Sequence, residues 1–210
     1  MRSYPALPRV TAEFIQNVQA RVASWSTSDA KDSTATVINA GCTRLGQTDS
    51  VTIPPGTPVD VAKAVRTSLS YVGQPSGWRR MCDRLACRAY GFANSGYVSA
   101  AAHWDAMLRA RYAHPADRCP PVGSFVFWTT GTPLGHVALV VGNDGTCNPD
   151  GIKIVSNDVL DISTGNSGGV YLVTLGQIEN GFVRADRYLG WSEPVCAGTP
   201  LPPDTTHPVA

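Results

Sequence analysis

Apolar positions along the chain change their spacing about halfway. From Thr11 to Trp25 they recur at helical intervals (Phe14, Ile15, Val18, Val22, Trp25), which predicts an amphipathic helix. Ser28 to Gly56 has little periodicity and much Ser, Thr, Asp and Gly, so it reads as irregular with one short strand at Val37-Ile38. Thr57-Pro58-Val59-Asp60 reads as a helix start: a threonine cap, a proline in the first turn and an acid completing a capping-box-like pattern. That helix runs to about Tyr71 and ends before Gly73. A loop, Gln74-Pro75-Ser76-Gly77-Trp78, then leads to a helix-like run that opens at Cys82 and stops at Gly91. Ser99 caps a further helix, Ala100 to Arg111.

Beyond Pro120-Pro121-Val122-Gly123 the pattern becomes β-like. Ser124 to Trp128, His136 to Val141, Ile152 to Asp158 and Val170 to Val173 read as strands between Gly, Asn, Asp and Pro turns, with Tyr188 to Trp191 as a last short one. Helices followed by an antiparallel sheet make an α+β chain. The longest apolar run, Val137 to Val141, is strand length, so no membrane span is expected. The segment Met1-Arg2-Ser3-Tyr4-Pro5 does not open a continuous apolar core, so no signal peptide is read in this chain.

Composition narrows the function classes. With 43% apolar and 16% charged residues the chain has the makings of an ordinary core. The formal net charge is only +1 and no Lys/Arg run is present, which argues against nucleic acid as a partner. The six cysteines form no CxxC pair and the four histidines are scattered, so zinc-ligand spacing is lacking and no cofactor is implied. Cys42, Cys119, Cys147 and Cys196 sit in loop-like contexts and are read as two disulfides of unassigned connectivity. Cys87, inside a helix, is read as a small free core residue.

Cys82 is the candidate nucleophile. At a helix N-terminus a thiol meets unpaired backbone N–H groups and the positive end of the dipole, which favour the thiolate. His136, following Gly135 at a strand start, is the candidate base. The group that orients it is sought in Ser156-Asn157-Asp158. Ser156 and Asp158 share a strand face, so Asp158 is the first choice and Asn157 the reserve. Trp78, Tyr97 and Trp128 are candidates for lining a substrate groove, with Asn157 beside them. Asp83, next to the nucleophile, would raise the thiol pKa unless it points away or pairs with Arg79 or Arg80.

Several ordered segments together resemble the CHAP and NlpC-type papain-like cysteine peptidases of actinobacteria and their phages. They are Gly77-Trp78 through Cys82, Ala89-Tyr90-Gly91, Gly96 to Ala100 with Trp104, and Pro120 to Trp128. The order continues in Gly135 to Leu139, Ser156-Asn157-Asp158 and Tyr188 to Glu193. The resemblance covers roughly residues 74 to 196. It leaves 1–73 as an N-terminal helical and irregular extension and 197–210 as a Pro/Thr-rich tail or linker. It implies a papain-like fold with helices on a small antiparallel sheet and a catalytic triad of Cys82, His136 and Asp158. The implied substrate is a peptidoglycan stem peptide or cross-bridge, attacked by a monomer outside the cell or at the cell wall. Two other readings share the fold: an inactive wall-binding or phage-structural module, and a toxin or acyltransferase using the same triad.

Overall fold

A computed structural model of the chain describes residues 36–39 and 50–200. The helix expected between Thr11 and Trp25 lies outside them, as does Cys42. Strand β1 (Thr36–Asn39) pairs antiparallel with β2 (Ser50–Ile53), in agreement with the strand read at Val37-Ile38.

Helix α1 (Val59–Ser70) buries Val61, Ala62, Ala64, Val65, Ser68 and Leu69, one face at 3.6-residue spacing. The expected capping box does not form. The preceding Pro-rich turn takes the Thr57 hydroxyl, which donates to the Pro54 carbonyl at 2.8 Å, and Pro58 becomes the cap residue with no side-chain bond. Helix α2 (Cys82–Ala89) and helix α3 (Ala100–Ala110) follow; Ser99 caps α3 as expected, accepting the Ala102 N–H at 3.1 Å.

The strands of the main sheet are β3 (Ala113–Pro115), β4 (Phe125–Trp128), β5 (His136–Asn143), β6 (Ile152–Asn157), β7 (Val170–Thr174) and β8 (Tyr188–Ser192). They form an open six-stranded sheet in the order β3-β8-β4-β5-β6-β7, antiparallel throughout. Sequence reading missed β3, a three-residue edge strand containing Pro115, because proline is tolerated in a sheet only at such an edge. A one-turn helix α4 (Asp161–Thr164) lies between β6 and β7, and α5 (Leu175–Gly181) follows β7. Sequence reading also missed α5, although Thr174 and Gln177 form a full capping box there. Together these make an α+β fold with five helices among the described residues.

Strand alternation divides the core in two. Phe125, Phe127, Val137, Leu139, Val155 and Leu172 face α1, α2 and α3, while Val126, Trp128, Ala138, Val140, Ile154 and Tyr171 face α5. Each large side chain removed from water contributes about 1.5–3 kcal/mol, so the two layers hold the sheet from both sides. Val51, Ile53, Val61, Val65 and Leu69 pack into the helix-side layer, so the later part of segment 1–73 is built into the same core as α2.

Two disulfides are present among the described residues. Cys119 bonds Cys147, tying the approach to β4 to the β5–β6 loop. Cys196 bonds Cys87, which corrects the reading of Cys87 as a free core thiol. The inward face of α2 that buries Cys87 also meets the short strand β9 (Val195–Cys196). Strand β10 (Thr199–Pro200) turns back onto β9. No described helix is long and apolar enough to cross a membrane.

Candidate active site

Cys82 is the first residue of α2 and the free cysteine among the described residues, the other four being disulfide-bonded. Its sulfur accepts the backbone N–H groups of Val137 and Asp83, the first reaching across from β5. Those donors favour a thiolate, but burial dominates and, with the carboxylates of Asp83 and Asp158 adding to it, pushes the thiol up to about 12. The helix N-terminus favours the thiolate as expected, but burial outweighs it. A first-turn dipole contributes up to about 2 kcal/mol, less than removing a charge from water costs.

Asp83 pairs with neither Arg79 nor Arg80. It turns inward and accepts from Nδ1 of His103 on α3 at 2.7 Å, with the histidine fully buried.

His136 opens β5 opposite Trp128 of β4. Its ring packs against Phe182 at 5.0 Å and Trp128 at 6.0 Å between centroids, while Cys82 packs against the helix-side core, so the two flank the start of β5. Nε2 of His136 lies 2.7 Å from Ser156 Oγ. Burial pushes the imidazole down to about 4, which keeps it neutral at ordinary pH. No hydrogen bond joins His136 to the Cys82 sulfur among the described residues.

The orienting partner of His136 is thus Ser156, not Asp158. In the β5–β6 register Leu139 faces Val155 and Val140 faces Ile154, so Ser156 shares the His136 face one step along the diagonal. Asp158 leaves that face because β6 ends at Asn157 and Asp158 takes φ +66°. Its Oδ2 accepts the Arg80 backbone N–H at 2.8 Å and the Asn157 Nδ2 at 2.9 Å. Burial raises the Asp158 carboxyl; the Arg80 N–H opposes this and the neighbouring Asp161 reinforces it. Asp161 in turn accepts Gly168 N–H at 2.6 Å, Gly169 N–H at 3.0 Å and the Tyr171 hydroxyl at 2.7 Å. This fixes the β6–β7 loop, whose Gly168 carbonyl accepts the Trp78 N–H at 3.1 Å and so holds the approach to α2.

Cys82, His136 and Asp158 line one cleft of about 720 Å³, together with Arg80, Arg84 and Tyr97. Its rim is apolar. Of the seven large hydrophobic side chains exposed among the described residues, four line it: Met81, Val98, Leu134 and Phe182. Of the four side chains read as substrate contacts, only Tyr97 lies there. Trp78 is core, packed on Tyr71 and donating from Nε1 to Gln74 Oε1 at 2.6 Å. Trp128 is buried at 1% exposure beside Glu179, and Asn157 is buried with its Nδ2 on the Trp78 carbonyl. Large aromatics at strand and loop positions went to core, their commonest fate.

Sequence reasoning missed Ser156, the Asp83–His103 pair and the apolar rim. Period-2 alternation pointed to Ser156 as much as to Asp158; no local pattern marks the other two, which depend on how α3 and the β4–β5 loop fall across α2.

Comparison with known proteins returned no matching family model, curated protein or solved structure.

Proposed function

We propose that the chain is a papain-like cysteine amidase or endopeptidase of the CHAP/NlpC type acting on bacterial peptidoglycan peptides. The observation that carries the reading is the single unpaired described cysteine, at a helix N-terminus, on a cleft that a neutral buried histidine also lines. The ordered segments that resemble this peptidase class support it.

In this mechanism the Cys82 sulfur attacks the scissile carbonyl while its proton passes to His136. Because the thiol is raised and the imidazole lowered, the pair starts neutral and the proton moves as the C–S bond forms. Nδ1 is the ring nitrogen left when Nε2 holds Ser156, and the sulfur–imidazole contact tightens around bound substrate. The backbone N–H of Cys82, at the first position of α2, receives the oxyanion. The protonated imidazole gives its proton to the departing amine, leaving a thioester. Water then attacks the acyl carbon, releasing the carboxylic acid and restoring the thiol. The apolar rim favours substrates with apolar groups near the scissile bond. No metal or organic cofactor enters these steps. The enzyme acts as a monomer at the cell wall, outside the cell, where its two disulfides persist.

A second reading, a wall-binding or phage-structural module of the same fold without chemistry, is favoured by one observation: the resting thiol is not hydrogen-bonded to the imidazole. Digestion of purified actinobacterial peptidoglycan with the wild type and Cys82→Ala separates them, with products identified by mass spectrometry. Fragments from the wild type alone support the hydrolase and name its bond. A folded wild type that releases nothing the variant does not release overturns it.

A further inference from the structure

The first turn of α2 contains an arrangement that the proposed chemistry does not use. A carboxylate follows the nucleophile directly, where its charge opposes formation of a thiolate. Yet Asp83 is only 7% exposed and turned into the protein. Its Oδ1 lies 2.7 Å from His103 Nδ1, while Asp83 Oδ2 and His103 Nε2 are both buried without a partner. Polar atoms buried in that state cost free energy. A pair retained despite that cost is a candidate for a positional role rather than a packing one.

The surroundings of His103 hold it in one orientation. Tyr97, on the cleft wall, stacks on its ring at 4.1 Å between centroids, and Phe125 and Phe127 meet it edge-on at 5.8 and 5.3 Å. Three rings and one carboxylate pack around the imidazole, and through Asp83 the first turn of α2 is tied to α3.

We propose that His103 is a positioning residue for Cys82: by hydrogen-bonding the Asp83 carboxylate in a buried pair it holds that carboxylate turned into the protein and fixes the turn that presents the thiol. The proposal rests on Cys82 being the nucleophile. The other ionisable groups around the sulfur are Asp158 beyond β6 and His136 at the start of β5, with Arg80 and Arg84 on the cleft wall. Tyr97 is the ionisable group on the far side of His103.

The test is the pH profile of Cys82 alkylation by iodoacetamide, mapped to the residue by mass spectrometry, which requires no substrate turnover. His103→Phe keeps an aromatic ring in the slot but leaves the carboxylate unpaired. It slows alkylation at fixed pH about tenfold, the equivalent of one pK unit, and moves the alkaline rise upward. His103→Asn, which restores a donor near the Nδ1 position, stays close to wild type. Asp83→Asn alkylates faster than wild type, and adding His103→Phe to it changes nothing further. Coincident profiles for wild type and a folded His103→Phe overturn the proposal, as does a His103→Phe effect that persists in the Asp83→Asn background. If His103→Phe does not fold, Asp83→Asn carries the test alone, and a profile equal to wild type overturns it. Peptidoglycan digestion bears on the enzyme reading separately, so the two can fail independently.

Discussion

Ser156 Oγ and His136 Nε2 meet at 2.7 Å in a buried contact between adjacent antiparallel strands, and this neutral hydroxyl sets the plane of the imidazole. A hydroxyl can accept from or donate to the ring, so it fixes orientation without placing a fixed negative charge beside it. The lowered proton affinity of His136 agrees with that environment.

Ser156→Ala is expected to lower kcat of the proposed hydrolysis roughly 3- to 10-fold, the equivalent of one net hydrogen bond. Asp158→Asn should cost less, because Asp158 supports the Arg80 backbone rather than the ring. Parallel kinetics on both variants check this, and a larger loss in Asp158→Asn would return the orienting role to the carboxylate.

Acid should destabilise the fold through His136. Its folded value is about 4 against an ordinary 6.5, so as pH falls the unfolded chain takes up the proton first. Stability that is complete above about 6.5 is lost between there and about 4, to a total of about 3 kcal/mol for this fully buried group. Urea midpoints from pH 7.5 to 4 for wild type and His136→Asn read the difference. The variant should lack this component of the slope.

The apolar rim yields a prediction about substrate rather than fold. Val98 and Leu134 are 89% and 50% exposed, so Val98→Asp and Leu134→Asp should leave the melting temperature near that of the wild type. Each should raise KM severalfold with kcat less affected. An unchanged KM for both would remove the rim from the substrate path.

Gly168 has φ +80°, and a Cβ there would run into the Arg79 and Trp78 backbone nitrogens just before α2. Gly168→Ala is therefore expected to destabilise the protein by about 1–3 kcal/mol, because a strained backbone must meet an unyielding one. Chemical denaturation measures the loss, and a variant as stable as wild type would mean that this loop shifts freely.

The disulfide between Cys87 and Cys196 spans 109 residues and that between Cys119 and Cys147 spans 28. Loop-closure entropy assigns about 5 and about 3.5 kcal/mol to them. The double variant Cys87→Ala/Cys196→Ala should therefore unfold at a lower denaturant concentration than Cys119→Ala/Cys147→Ala. The opposite order would show that strain or residual structure outweighs loop length.

Legibility differed by kind of feature. Helices α1 to α3 were readable because each has a buried face at helical period, and strands β4 to β8 because each is a short, largely apolar run bounded by Gly, Pro, Asn or Asp. The cysteine at a helix start and the histidine at a strand start were readable for the same reason. What failed was anything set by a meeting of distant segments. Cys87 found Cys196, Asp83 found His103, and Trp78 and Trp128 went to core instead of the cleft. Asp158 failed differently: one residue with positive φ ended the strand, and the alternation that assigned its face ended with it.

Cys82 and Cys87 lie on the same short helix, the first keeping its thiol and the second joined to Cys196. During synthesis both emerge long before Cys196, so for most of that time the future nucleophile competes with its neighbour for any oxidant or passing disulfide. Oxidative maturation is therefore a kinetic partition between two thiols little more than a helical turn apart. Once α2 has docked, Cys87 faces Cys196, while the raised proton affinity of Cys82 withholds the thiolate that exchange requires. The reluctance to ionise that, in the proposed mechanism, delays proton loss until the carbonyl is attacked also shields the sulfur from capture by its own chain.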